Sequence, residues 1–579
     1  MKATLTITEA LKTLQTSPAE ATPFSVLLAC GFTPLHLQTF LGAHLQQLLP
    51  DRKVSLSTGL FGDLVGALNG LDSKQVHATA VIVEWETLDP RLGFREAGSW
   101  KPSSLADILS GVRSAVVRIE NSLHQIPAGI RTVVSLPTLP LPPFFHTPAW
   151  QASEAELLLD QIICEFGARL VSRKGISLVN RRRLAEDSPP GACYDLKSDL
   201  LAGLPYTVSH ASQLSAALAR LLAPSPPKKG LITDLDDTLW DGLAGEIGPD
   251  GVTWDLASHQ QIHGLYQKML ASLSGQGVLI GIASKNDPAI VEKTFQRADI
   301  LLRPDDVFPI EANWNSKSAS VARILHTWNI AADSVVFIDD SAMELGEVAA
   351  AHPGITCIQF PKGNYPAAYQ LFSQLRDLFG KEYISDEDSL RLASIRQGAE
   401  FLQVAETDGG GEAFLEQLNS VITLEFHDSP KDQRAWELVN KTNQFNLNGA
   451  RYTEADWVRA VSQPDSVLMV VNYEDRFGPL GKIAVLQGRH HGDVLDVDVW
   501  VMSCRSFSRR VEHQCLRTLF ERFGLREMVF QFAQTPKNGP LREFFGGLLD
   551  TQPESPFSLS FETFQKKCSP LYHRVVLSE

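Results

Sequence analysis

Short apolar runs recur along this chain, each closed by glycine, proline or an acidic residue, and many precede segments with apolar residues at helical spacing. Early on, Phe24-Ser-Val-Leu-Leu-Ala-Cys30-Gly31, Ala78-Thr-Ala-Val-Ile-Val-Glu84 and Ile130-Arg-Thr-Val-Val-Ser135 predict buried strands. Helical patterns are predicted up to Leu49, from Leu105 to Gln125, and near 152–170. Repeated strand–helix alternation predicts a parallel sheet covered by helices. Leu136-Pro-Thr-Leu-Pro-Leu-Pro-Pro-Phe-Phe is excluded as a central strand, because proline cannot donate to a ladder.

Composition then sets boundaries. Leu222-Ala-Pro-Ser-Pro-Pro-Lys-Lys-Gly230 reads as a stiff linker. The pattern predicts an N-terminal α/β domain over 1–223, a second over 228–380, a helical connection over 381–420 with a break at Thr407-Asp-Gly-Gly-Gly411, and a third domain over 421–579. In the third domain a helix is expected around 431–442, strands at 467–473, 481–488 and 494–502, a helix at about 510–523, and a strand at 527–532.

With 579 residues the chain is too long for one core, and its formal net charge of −15 argues against non-specific nucleic-acid or anionic-membrane binding. No run suits a secretory signal or a membrane span. The seven cysteines are widely spaced with no C-x-x-C pair, so reduced thiols and a cytoplasmic location are expected.

Candidate chemistry centres on Gly230-Leu-Ile-Thr-Asp234-Leu-Asp236-Asp237-Thr238, an apolar strand breaking into three acids and a hydroxyl. Acids crowded at a buried strand end repel one another, and a divalent cation relieves that repulsion. Three further pieces follow: Gly277 to Ser284-Lys285-Asn286, Trp314-Asn315-Ser316-Lys317, and Val335-Val-Phe-Ile338-Asp339-Asp340. In an open parallel sheet such strand ends converge on one rim.

These four pieces, in this order, resemble the haloacid dehalogenase superfamily, which implies a Rossmann-like central domain. The resemblance implies Asp234 as nucleophile, Asp236 as general acid then base, Thr238 and Ser284 as donors to the phosphoryl oxygens, and Lys317 as a stabiliser of negative charge. It places Mg²⁺ on Asp234, the Asp236 carbonyl, and Asp339 or Asp340.

Trp240-Asp-Gly242, Gly245-Glu-Ile-Gly248, Asn313-Trp-Asn-Ser-Lys317, Leu438-Val-Asn-Lys-Thr-Asn443-Gln444-Phe445-Asn446 and Thr535-Pro-Lys-Asn-Gly539 are similar to FkbH-type proteins of polyketide pathways. That family implies glyceryl loading. A phosphorylated three-carbon substrate, 1,3-bisphosphoglycerate, supplies an acyl unit that is dephosphorylated and delivered as a thioester to an acyl carrier protein. The chain departs from the family at Asp241, where glycine is common.

In the third domain, the amides Asn443, Gln444 and Asn446 and the cations Arg505 and Arg509 are candidates for holding an acyl or pantetheine group. Cys504, beside Arg505, is the candidate acyl-accepting thiol, with the carrier's own thiol as the alternative. The strand–turn–helix there resembles the N-acetyltransferase (GNAT) fold, in an α+β arrangement, but the turn Arg505-Ser-Phe-Ser-Arg509-Arg510 lacks the glycines of a pyrophosphate site.

In the first domain, Cys30-Gly31-Phe32-Thr33 sits where SGNH-type hydrolases carry their nucleophile, with His210 as a distant histidine. With threonine for serine and no acidic neighbour, this reads as a degenerate SGNH-like domain. A simple phosphatase with binding-only flanks, and a carrier-binding scaffold, are the competing readings.

Overall fold

The computed structural model describes residues 4–16, 21–95, 101–384, 388, 391–393, 395–396, 411–427, 432–476, 478–503, 506–507 and 509–578. Contacts divide the chain into two compact units: Met1–Ser225 with Thr453–Val458, and Pro226–Tyr452 with Arg459–Glu579.

In the first unit, β1 (Thr22–Cys30), β2 (Arg52–Thr58), β3 (Ala78–Ile82), β4 (Arg131–Ser135) and β5 (Ile176–Leu178) form a parallel sheet in the order β2-β1-β3-β4-β5. β3 is buried along its whole length, as its unbroken apolar run requires. β2 is an edge strand in which Val54 and Leu56 pack on the core and alternate with exposed Lys53, Ser55 and Ser57, so it lacks the unbroken apolar run of its neighbours. Helices Leu35–Leu48 and Val208–Leu222 pack on one face, and Leu105–Gln125 and Glu154–Val171 bury their apolar stripes on the other. Glu154–Val171 starts in a capping box between Ser153 and Glu156.

The second unit holds two sheets. β6 (Gly230–Thr233), β7 (Leu279–Ser284), β8 (Ile310–Ala312), β9 (Val335–Asp339) and β10 (Thr356–Gln359) are parallel in the order β10-β9-β6-β7-β8. The central strands β6, β7 and β9 are wholly buried. Gly230 and Gly281 lie against Trp328, whose ring leaves no room for a Cβ at either position.

The other sheet is mixed. It runs β17-β16-β15-β14-β13-β11-β18, from β11 (Val421–His427), β13 (Ser466–Asp475), β14 (Gly478–His491), β15 (Val494–Met502), β16 (Glu527–Phe530), β17 (Phe557–Ser560) and β18 (Arg574–Ser578). β15 and β16 are parallel neighbours from Val494–Glu527 to Val497–Phe530, and then part. The short β12 (Phe445–Asn446) enters this divergence, pairing with Val501 and Met502. Leu447 N–H donates to Trp500 O, and Ala533 N–H donates to Leu447 O.

The architecture is thus multidomain α/β, with two parallel sheets and one mixed sheet. Within the predicted helical connection over 381–420, residues 388, 391–393, 395, 396 and Gly411–Gln417 are helical, while 385–387, 389–390, 394 and 397–410 lie outside the described residues, and with them most of the break at 407–411. Among the described residues no helix is long and apolar enough to cross a membrane.

Candidate active site

The site forms where β6, β7 and β9 end. After Thr233 the chain turns tightly: Thr238 and Leu239 N–H both donate to Leu235 O, and Asp237 takes a left-handed φ of 55°. Leu235, Leu239 and Trp240 are buried beneath this turn, which fixes the acids above it.

Lys317 is the hub. It begins the helix Lys317–Trp328, capped by Ser316, and its side chain is 2 % exposed. Its Nζ lies 2.6 Å from Asp234 Oδ1, 3.0 Å from Asp339 Oδ2 and 3.2 Å from Glu344 Oε2. Burial alone would favour the neutral amine, but these three carboxylates outweigh it and hold the ammonium above the ordinary lysine range. Lys285 supports the array through Glu344, at 2.9 Å.

Asp236 is held differently. Trp240 Nε1–H (2.9 Å) and Ala244 N–H (3.2 Å) donate to its Oδ1, and Asn286 Nδ2–H (3.0 Å) to its Oδ2. Burial raises its pKa, the donors from Trp240 and Ala244 oppose that, and the charges of Asp234 and Asp237 add to it. Asp339 is raised as well, by burial and then by Asp234, although Ser341 N–H donates to it at 2.9 Å. Asp340 is raised by burial and by Asp234 and Asp237.

The donor set fits a hard divalent cation. One carboxylate oxygen from each of Asp234, Asp339 and Glu344 lies within 4.8 Å of the others, a cluster that also surrounds Lys317 Nζ, and burial, with the charge of Asp234 second, raises Asp339 and Asp340. The Thr238 hydroxyl is buried without a hydrogen-bond partner, and Ser284 is buried at the end of β7.

No family model matches the chain, and no curated protein matches it either. Among solved structures the chain is similar to the N-terminal part of BF1531 from Bacteroides fragilis, which contains a phosphatase domain and was crystallised with Mg. The two share 18 % identity over 66 % of this chain and 100 % of that one, with a TM-score of 0.52. An uncharacterized protein from Corynebacterium glutamicum is also similar at 18 % identity, over 27 % of this chain and 98 % of that one, with a TM-score of 0.19. The first likeness is one of fold alone.

The structure brings Asp234, Asp236, Thr238, Ser284, Lys317, Asp339 and Asp340 to one rim of the central sheet. Sequence reasoning missed Glu344 and Lys362. Glu344 has a local signal: it follows the acidic strand end in Ser341-Ala-Met-Glu344, and Ser341 caps that helix by accepting from Glu344 N–H. Lys362 has none. It lies 2.6 Å from Asp237 and 3.9 Å from Asp241, so both acids face a cation.

The third-domain candidates separate. Cys504 and Arg505 lie outside the described residues. Arg509 is buried, its Nε 3.0 Å from Asp475 and its guanidinium over the Tyr473 ring. Asn446 Oδ1 accepts from Asn448 and Gly449 N–H, and its Nδ2 donates to Thr442 O, so its amide shapes the loop. Asn443 accepts from Arg451. Asn443 and Gln444 line a cavity of about 360 Å³ with Lys229, Lys441, Ser503 and Lys537. Lys229 precedes β6 and Asp234 follows it. The cavity and the acids therefore lie at opposite ends of that strand, roughly 17 Å apart at about 3.3 Å per residue.

Proposed function

We propose that this protein is a Mg²⁺-dependent phosphatase and acyltransferase of the FkbH type. It takes a glyceryl unit from 1,3-bisphosphoglycerate, removes the phosphate at Asp234, and loads the acyl unit on a carrier protein. The observation that carries the phosphatase part is Lys317 at 2.6 Å from Asp234, with Asp236 separately oriented by Trp240 and Asn286.

In this reading Asp234 attacks phosphorus, forming an aspartyl phosphate, and the leaving oxygen takes a proton from Asp236. Asp236 then accepts a proton from water, whose oxygen attacks phosphorus and breaks the bond to Asp234. The raised pKa of Asp236 suits the acid step. Lys317, Thr238 and Ser284 offset charge on the transferred group. Bound Mg²⁺, held by Asp234 with Asp339 or Asp340, would supply further positive charge there.

The transferase part rests on the sequence resemblance. It is supported by the amide- and lysine-lined cavity beside Ser503 and by the parting of β15 from β16, which suits a GNAT-like domain. The order β2-β1-β3-β4-β5 suits an SGNH-like first domain. A simpler phosphatase with binding-only flanks is favoured by Arg509 and Asn446, whose side chains are engaged internally.

Incubation with 1,3-bisphosphoglycerate and carrier protein, followed by intact-mass analysis, separates these readings. A carrier mass gain together with free phosphate supports loading, and phosphate alone supports the simpler enzyme. If Cys504 is the relay thiol, Cys504→Ser abolishes the covalent glyceryl-enzyme while phosphate release persists. A glyceryl adduct surviving in that variant removes Cys504 from the scheme.

Asn286 gives a separate prediction. Asn286→Ala removes one of the donors that orient Asp236, worth about 1–2 kcal/mol. Steady-state kinetics should show kcat falling about tenfold with KM nearly unchanged, because substrate binding is untouched.

A further inference from the structure

His210 does not face Thr33, whose hydroxyl donates instead to Ala202 O at 2.9 Å. It stands in a chain of hydrogen bonds starting from Glu84, just past β3. Glu84 is fully buried and accepts from the Tyr206 hydroxyl (2.6 Å), the Thr138 hydroxyl (2.7 Å), Thr138 N–H (3.0 Å) and Leu139 N–H (3.2 Å). With its proton given to Glu84, the Thr138 hydroxyl must accept from His210 Nε2–H, 3.0 Å away. That leaves His210 Nδ1 as an acceptor, and Ser188 Oγ lies 2.8 Å from it.

The arrangement has a reason in the fold. His210 lies in the first turn of Val208–Leu222, where the helix N-terminus disfavours a charged imidazole. Burial lowers its pKa to about 4, so it is neutral near pH 7. Ser188 ends the helix Arg181–Asp187. Both residues line a cavity of about 670 Å³, together with Trp85, Leu136, Ile163 and Leu184. The cavity lies beyond the carboxyl ends of β3, β4 and β5, the usual ligand position in a parallel sheet, and its size suits a small ligand.

We propose that Ser188 is a second nucleophile, with His210 as its base and Thr138 and Glu84 as positioning residues, acting on the ester or thioester of a short apolar acyl group. Ser188 Oγ bonds to the carbonyl carbon while its proton passes to His210 Nδ1. The carbon–oxygen or carbon–sulfur bond to the leaving group breaks, and the alcohol or thiol departs with that proton. Water then attacks the acyl-serine, giving its proton to His210. The ester bond to Ser188 breaks, the acid leaves, and Ser188 recovers its proton. Asn180, whose Oδ1 is taken by Arg182 and Arg183 N–H, lines the same cavity, and its NH₂ is the candidate donor to the developing oxyanion.

The test treats the full chain with a fluorophosphonate, maps the labelled peptide, and measures hydrolysis of p-nitrophenyl butyrate. The expected result is label on Ser188, none in Ser188→Ala, and a fall in kcat of about 100-fold in His210→Gln. Thr138→Ser should retain hydrolysis and Thr138→Val should lose it, a rescue that a packing role would not produce. Asp234→Asn should hydrolyse the ester at the parent rate, which separates this site from the phosphatase. An unlabelled Ser188, or parent-rate hydrolysis by Ser188→Ala, overturns the proposal.

Discussion

Replacing Asp234 by asparagine should abolish phosphate release, lowering kcat by about 10⁴-fold or more while the fold is retained. An amide at this position is nearly isosteric but cannot form the aspartyl phosphate. The change also removes the closest of the three carboxylates on Lys317, at 2.6 Å, while Asp339 and Glu344 still hold the ammonium. It further removes one of the charges that raise Asp236 and Asp339, so thermal stability should hold or rise slightly. Phosphate release measured over hours, with circular dichroism on the same sample, checks both parts. A residual rate within about 100-fold of the parent would exclude Asp234 as the nucleophile.

Lys317→Met should cost both activity and stability. The ammonium is buried and is the shared counterion of Asp234, Asp339 and Glu344. Removing one partner of a buried ionic array leaves uncompensated charge, at a cost of about 3–5 kcal/mol. Calorimetry should show an earlier transition for the central domain. Mg²⁺ should recover more of the lost stability in the variant than it adds to the parent, since a bound cation then meets carboxylates lacking their counterion. Activity should stay low even with Mg²⁺, because the charge beside the phosphoryl group is missing. An unchanged unfolding transition would mean that the array is not coupled through Lys317.

The two halves of the candidate cluster differed in how legible they were. Asp234, Asp236, Ser284 and Asp339 sit where apolar strands end, and a strand end is visible as the break in an apolar run. Lys317 and Glu344 each sit in the first turn of a serine-capped helix, a weaker signal that identifies a helix start without saying what it faces. Lys362 lies in a loop after β10, and nothing near it in the chain announces its pairing with Asp237.

The edge strand β2 and the two-residue β12 were missed for physical reasons. β2 has only two apolar residues, Val54 and Leu56, in a short alternation beside its neighbours' unbroken runs, and β12 owes its pairing to the space left where β15 and β16 part. The amides around Asn446 looked equally suited to a ligand or to the chain itself. Asn448 Nδ2 reaches both Asp498 O and Gln531 O, so at least part of that density serves to bridge the parted strands.

By itself, then, the sequence determined the alternation of strands and helices, the parallel sheets that follow from it, and the acids and hydroxyls at the strand ends. These are local properties, set by side-chain period and by where an apolar run stops. Tertiary structure alone decided which charges meet. Lys317 stands 83 positions beyond Asp234 in the chain yet lies 2.6 Å from it. The Ser188–His210–Thr138–Glu84 chain likewise draws on segments far apart in sequence. Such pairings depend on strand order and helix packing, and those are properties of the folded core as a whole.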